Sequence, residues 1–388
     1  MNPLKRKYVS ALLTGSVFLG MTAFNNAAYA EPVHIGSILS VTGPAAFLGE
    51  DMKAGMELAI EEINKSGGIQ GEEVKWTFYD SESQTSKAIN ATKRLLSQDK
   101  VDVIVGGGNM SNIAMAMAPL VERAAKVFIS TEGAMDIIEP TESRRQVFKS
   151  TVNDDQVLNR LLDYFEEKGV KKVALLSDST GFGQSALEQM KTISKERDFE
   201  IIYESFNPGD TDLTPQLSKI KSAGVDAIIG WTVTPAGVVL LKQADQLGFN
   251  DVLIAHGYGF VDQRYMKLAG QSAKDVVLVS VKFPVGQDLP DDDPIKERVE
   301  SLQKRFEEKY GRKPNQYVAQ AYDGIMLIKE AVEKNGGTEN LNEAVEKITD
   351  YAGVGGVFNF TPEKHYGLSK EDIVILKYED DTFRLEDY

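Results

Sequence analysis

The 388-residue sequence contains no cysteine. Thiol chemistry, disulfides and cysteine-bound metals are therefore excluded, and stability has to come from burial alone. Histidine is scarce as well: His34, His256 and His365 stand far apart, without the spacing a metal site needs. Sequences of the HExxH, GxSxG and phosphate-loop GK[ST] types are missing, which removes the most readable enzymatic signatures. Basic residues are outnumbered, 43 Lys and Arg against 58 Asp and Glu, for a net charge of −15. A phosphate backbone calls for clustered Lys and Arg, so no nucleic-acid partner is expected; the acidic surface serves solubility. Beyond the first thirty residues no apolar run is long enough to span a bilayer. Nothing in the chain calls for a cofactor.

The first thirty residues have their own pattern. Lys5, Arg6 and Lys7 precede an apolar stretch from about Val9 to Phe24, and Ala28-Tyr29-Ala30 follows as a small-x-small site. This is the layout of a secretory signal peptide cleaved after Ala30. Thr14, Gly15, Ser16 and Gly20 break the apolar run, which argues against a membrane anchor, and no Cys follows to carry a lipid. The expectation is a monomer of 358 residues exported from the cytoplasm, with net charge −18, enough for two ordinary domains.

What is present is alternation. Strands are expected at Val33–Ser40, Val74–Asp80, Val101–Gly106 and Lys126–Ser130, with helices at Glu50–Lys65, Ser86–Gln98 and Ser111–Ala125 between them. The pattern then restarts, with strands at Lys171–Ser177, Phe199–Phe206, Val225–Trp231 and Val252–His256. Helices are expected at Gln184–Arg197, Leu213–Ala223 and Pro235–Leu247. Continuous apolar centres such as "VDVIVGG" and "DAIIGW" suit parallel strands buried on both faces. The result is an α/β fold of two doubly wound lobes. Long helices follow at Asp293–Tyr310 and Gln316–Lys334, and "IVILKYEDDTFRLED" reads as a hairpin.

"IVGGGNMSN", residues 104–112, is the most informative stretch. A buried strand runs into three glycines and then into small polar residues at a helix start. In open α/β sheets ligands sit beyond the carboxyl ends of the strands. A helix beginning near Ser111 would point free N–H groups and its positive dipole end at an anion.

In order along the chain, "IGSILSVTGPAAFLGEDMKAGMELAIEEINKSGGIQG", "VDVIVGGGNMSNIAMAMAPLVERAAKVFIST", "DSTGFGQSALEQM" and "LLKQADQLGF" resemble the type I periplasmic binding proteins. The likeness is greatest to the leucine/isoleucine/valine-binding group of ABC importers, and it covers essentially the whole chain after the signal. It implies a Venus-flytrap architecture in which two lobes, joined by three hinge crossings, grip a ligand in their cleft. The closed form is then presented to ABC permease subunits. The crossings would fall near Lys149–Val152, Lys282–Pro284 and Asn359–Pro362. Lobe 1 would comprise residues 31–150 and 283–360, and lobe 2 residues 151–282 and 361–388.

The resemblance also implies site residues. A serine at the glycine turn holds the ligand carboxylate in the family; Ser111 matches it, with Asn112 beside it. The alternative for Ser111 is a helix cap. The turn "STEGAMD" supplies Glu132, Gly133 and Ala134. Family members that bind amino acids carry a threonine where this chain has Ala134, and Glu132 faces either the ligand or solvent. Phe182 stands where an aromatic ring stacks on the ligand, the alternative being packing within its own lobe. Trp231 and Thr234 end a strand and start a helix; Thr234 would touch the ligand, and Trp231 either the ligand or the hinge. Where amino-acid binders place an acidic residue, this chain has His256, Gly257 and Tyr258. Phe47 and Leu48 would contact ligand from lobe 1, with ordinary packing as the alternative.

The carboxylate anchor is thus retained, while two groups that would recognise an α-ammonium are replaced. An unpaired buried ammonium costs several kcal/mol, in order of magnitude. The reading is a small carboxylate ligand, either a branched-chain amino acid or, preferred slightly, an aromatic or aliphatic acid. A periplasmic sensor that presents its solute to a receptor would share these residues. A hydrolase with an unrecognised site is the third alternative, and the chain is read as not an enzyme.

Overall fold

The computed structural model describes residues 31–386; the signal-peptide reading of residues 1–30 lies outside them. The first sheet contains β1 (His34–Leu39), β2 (Lys75–Asp80), β3 (Val103–Gly107), β4 (Val127–Ser130) and β5 (Val147–Lys149). All pair in parallel, in the order 2-1-3-4-5. The second sheet starts with β6 (Lys172–Asp178), β7 (Glu200–Phe206), β8 (Ala227–Trp231), β9 (Leu253–His256) and β10 (Val277–Val281), parallel in the order 7-6-8-9-10. A short ladder of β11 (Tyr351–Ala352) and β12 (Val357–Phe358) intervenes in the chain. The antiparallel strands β13 (Ile373–Glu379) and β14 (Thr382–Leu385) then complete the second sheet beside β10. Two α/β lobes of doubly wound, mostly parallel sheet result.

Helices α1 (Ala46–Lys65), α2 (Thr85–Arg94) and α3 (Ser111–Ala124) cross between strands of the first sheet. Helices α4 (Asp154–Glu167), α5 (Gly181–Ile193), α6 (Thr214–Ala223), α7 (Ala236–Gln246) and α8 (Gln263–Ala269) belong to the second. The chain then returns, and α9 (Lys296–Tyr310), α10 (Gln316–Asn335) and α11 (Leu341–Glu346) pack on the first lobe. On α1 the buried Leu48, Met52, Met56, Ala59 and Ile63 recur every three to four residues, one helical stripe. That stripe meets α10, which also reaches β3. Each large apolar side chain so buried contributes about 1.5–3 kcal/mol.

Several expected boundaries move. α1 begins at Ala46, four residues early, so Phe47 and Leu48 are helical. α5 begins at Gly181 and not at Gln184, because Thr180 is extended and the glycine-bearing "GFGQ" is already the first turn. Phe182 therefore sits on a helix and not on a loop. α2 ends at Arg94 in a π turn, Leu95–Asp99, which the left-handed Lys100 stops. β5, α4, α8 and β10 are additional elements; β5, at three residues, is too short to show a period. The third crossing was expected at Asn359–Pro362. An isolated parallel bridge pairs Lys149 at the end of β5 with Tyr366, so the chain still runs beside the first sheet there. Phe360, edge-on to Phe148 with ring centroids 6.0 Å apart, holds that segment down.

Candidate functional site

In each sheet the strand order reverses at one point, between β1 and β3 in the first and between β6 and β8 in the second. Crevices open at such points beyond the strand ends. One cavity of about 30 Å³ lies between the two. Leu48, Ser111 and Gly133 line it from the first lobe, and Phe182, Val233 and Tyr258 from the second.

The glycine run is locked in place by Glu132. This carboxylate accepts from the N–H groups of Gly107 (3.1 Å), Asn109 (2.8 Å) and Thr131 (3.1 Å). It also accepts from the hydroxyls of Ser130 (2.6 Å) and Thr131 (3.1 Å). A Cβ on Gly107 would collide with Glu132 Oε2, and Gly108 takes φ +72°; these are the physical reasons for glycine there. Burial raises the Glu132 pKa against the pull of these donors. With five donors on two oxygens, its lone pairs are spent within the protein. Glu132 lines the cavity but is buried from open solvent, with both oxygens engaged by protein donors.

Ser111 is the first residue of α3, only 4% exposed. It does not cap the helix: Met110 is the N-cap, and no side chain bonds the first turn. The Ala134 N–H donates to Ser111 Oγ at 3.3 Å, which leaves the hydroxyl proton free to donate elsewhere. Across the cleft, α5 approaches the same spot. A Cβ on Gly181 would lie 2.5 Å from Met115 Cε and 3.1 Å from the Asn112 nitrogen. The N-termini of α3 and α5, one from each lobe, therefore meet at the cavity. First-turn N–H groups and the positive dipole ends of both helices favour an anion at this place without a cationic side chain.

Phe182 supplies the apolar wall, with its ring 5.3 Å from Trp231 and 6.1 Å from Tyr258. A Cβ on Gly133 would collide with the Tyr258 hydroxyl and come 2.9 Å from Phe182 Cε2, so glycine lets the lobes touch here. Tyr317 donates its hydroxyl to the Gly259 carbonyl, and the Gln316 amide donates to the Tyr258 carbonyl. Behind the cavity Lys149 is fully buried, its ammonium donating to the Gly133 carbonyl at 2.5 Å and to Asn153. Burial lowers its pKa to about 8, and the nearby Asp154 is raised by burial to about 6.

Other expected contacts lie off the wall. Phe47 packs edge-on against Tyr265 at 5.1 Å. The Asn112 amide reaches Thr85 at 3.5 Å. Ala134 is buried behind Ser111, and Trp231 behind Phe182. Thr234 pairs with the Thr232 hydroxyl at 3.0 Å. His256 is fully buried in β9, stacked 4.2 Å from Phe260 against Gly230, and burial lowers its pKa to about 3. Met52, Asn109, Tyr317 and Gln320 line the cavity without having been expected. The legible signal for the last two was polar residues inside the apolar stretch "QYVAQAYDGIMLI". Among the described residues no cluster of His, Asp or Glu could hold a metal, and no helix is long and apolar enough to cross a membrane.

The family model described as periplasmic binding protein matches residues 32–380. Leu/Ile/Val-binding protein homolog 3 of Brucella melitensis biotype 1 is 26% identical over 341 residues, 87% of this chain and 89% of that protein. A solved structure of LivJ, the branched-chain amino acid transporter substrate binding protein of Streptococcus pneumoniae, is in complex with isoleucine. It matches with a TM-score of 0.79 at 25% identity, covering 92% of this chain and 98% of that one. An extracellular ligand-binding receptor from Rhodopseudomonas palustris HaA2 shares the fold, with a TM-score of 0.84 at 24% identity, covering 92% and 99%.

Proposed function

Because this chain belongs to the periplasmic binding protein family, we propose that it is the solute-binding component of an ABC importer and carries a small carboxylate. The ligand lies between the lobes, closure grips it, and the closed form docks on the permease subunits. The hinge would consist of the crossings at Lys149–Val152 and Lys282–Pro284 and a third between Tyr366 and Ile373. One observation carries the reading: α3 and α5 bring their N-termini to one cavity, where Ser111 keeps a proton to donate. A carboxylate there gains charge-assisted hydrogen bonds, and Phe182 covers an apolar body.

The same site argues for an acid without an ammonium group. Glu132 is the one carboxylate among the described lining residues, and its oxygens are already engaged. An α-ammonium would lack an anionic partner, a loss of several kcal/mol in order of magnitude. A thermal-shift screen of the protein against aliphatic acids, aromatic acids and the branched-chain amino acids tests this. A true ligand at a thousandfold excess over its Kd stabilises by about 4 kcal/mol. Melting curves unmoved by every acid, with isoleucine giving the shift, would overturn the ammonium argument; turnover of any compound would revive an enzymatic reading.

A further inference from the structure

Most polar side chains on the cavity wall are committed to protein partners. Asn109 receives the Ser40 N–H and donates to Met52, Thr180 donates to Asp178, and Tyr317 donates to Gly259. Gln320 of α10 is different. It is 2% exposed and lines the cavity, yet neither its Oε1 nor its Nε2 has a hydrogen-bond partner. A buried carboxamide with both ends unsatisfied is a cost that native proteins rarely carry without a compensating partner.

We propose that Gln320 is a specificity-determining residue that reads a second, uncharged polar group on the ligand. That group both donates and accepts, as a hydroxyl or carboxamide does, so the ligand is a hydroxy- or amido-substituted small carboxylic acid. The inference rests on the carboxylate reading above and extends it. A charged second group does not fit: no Lys, Arg or His lines the cavity, and the oxygens of Glu132 are saturated. The carboxamide of Gln320 offers one acceptor and two N–H donors. A partner that can serve only one end leaves the other unpaired, which selects against plain hydrocarbon and plain amine alike.

Calorimetric titration of the parent protein and of Gln320→Leu tests the assignment, with benzoate against its three monohydroxy derivatives and pentanoate against 4- and 5-hydroxypentanoate. At least one hydroxy acid is expected to bind the parent about tenfold tighter than its unsubstituted acid. In Gln320→Leu that preference should shrink below about threefold, with the unsubstituted acid bound as well as before or better. Equal binding of hydroxylated and plain acids by the parent overturns the proposal. So does an equal loss for both in the variant, which would mark Gln320 as packing. Gln320→Met replaces a leucine variant that fails to fold, and the comparison on the parent stands regardless. If every acid is silent while isoleucine binds, the carboxylic-acid reading falls, and this assignment with it.

Discussion

Arg264 Nη2 on α8 lies 2.6 Å from Asp51 Oδ2 on α1, an ion pair that joins the second lobe to the first. The Asp51 side chain is wholly buried, and Arg312 and Asn315 also donate to it. Asn315 extends the link to Asp262, at 2.9 Å, which in turn holds Arg264. Both lobes thus share one charge cluster at the rim of the cleft, on the side of Phe47.

Replacing Arg264 by Leu should therefore weaken ligand binding more than it weakens either lobe. Arg264 is partly exposed, which discounts its worth, so the expected loss is about tenfold in affinity, ~1.4 kcal/mol. High salt should narrow the gap between parent and variant. Calorimetry at two ionic strengths reads both effects; unchanged affinity would show that the pair does not favour the closed form.

Gly133→Ala should block closure without unfolding the chain. The added methyl has no room beside the Tyr258 hydroxyl and Phe182, which belong to the opposite lobe. Overpacking of this kind costs about 1–3 kcal/mol, and here only the closed form bears it. Small-angle scattering of the parent should give a smaller radius of gyration with ligand than without. The variant should keep the open value at the same ligand concentration, and compaction equal to the parent's would refute the steric account.

Ser111→Ala removes the hydroxyl proton that faces the cavity. A hydrogen bond to a carboxylate is worth roughly 1.5–3 kcal/mol, so binding should fall about ten- to a hundredfold. The melting temperature of the free protein should barely move, since Ser111 accepts only one long bond, from Ala134. Affinity equal to the parent's would place the anchor elsewhere than at the start of α3.

His256 gives a prediction about acid. Its folded-state pKa, about 3, lies below the ordinary 6.5, so the unfolded chain takes up the proton more readily. The neutral ring's contribution to stability is complete above pH 6.5 and is lost as pH falls toward 3, by about 1.4 kcal/mol per unit. Between pH 7 and 5, His256→Gln should lose about 2 kcal/mol less than the parent, a few degrees in Tm. Parallel pH profiles would show that the ring does not titrate on unfolding.

The alternating sheets and the glycine turn before α3 were legible because their signals are local. Apolar strand centres, three glycines and a polar helix start all lie within a few residues of one another. Other features need the assembled sheet. Whether His256 points to the cleft or to the core depends on its pairing with Gly230 and Leu278, which no stretch of β9 specifies. Phe182 falls ahead of the helix expected from Gln184 because glycines on either side of it mask a helical first turn. Gln320 is some two hundred residues from the glycine run. Its helix is buried nearly all round, so the one signal is a polar residue inside an apolar stretch, which does not say which side faces the cleft.

The packing of α10 on α1 and β3 has a consequence for the order in which the molecule is made. A chain emerging from its amino end presents β1 to β5 and the apolar stripe of α1 long before residues 316–335 arrive to cover them. Domains that are contiguous in sequence fold as they appear; this first lobe has to wait while all five parallel strands of the other are synthesised. The second sheet waits longer still, for β13 and β14 beside β10. Until the final seventy or so residues arrive, the stripe of α1 lacks its α10 partner and β10 is an unpaired edge. What is made first is completed almost last.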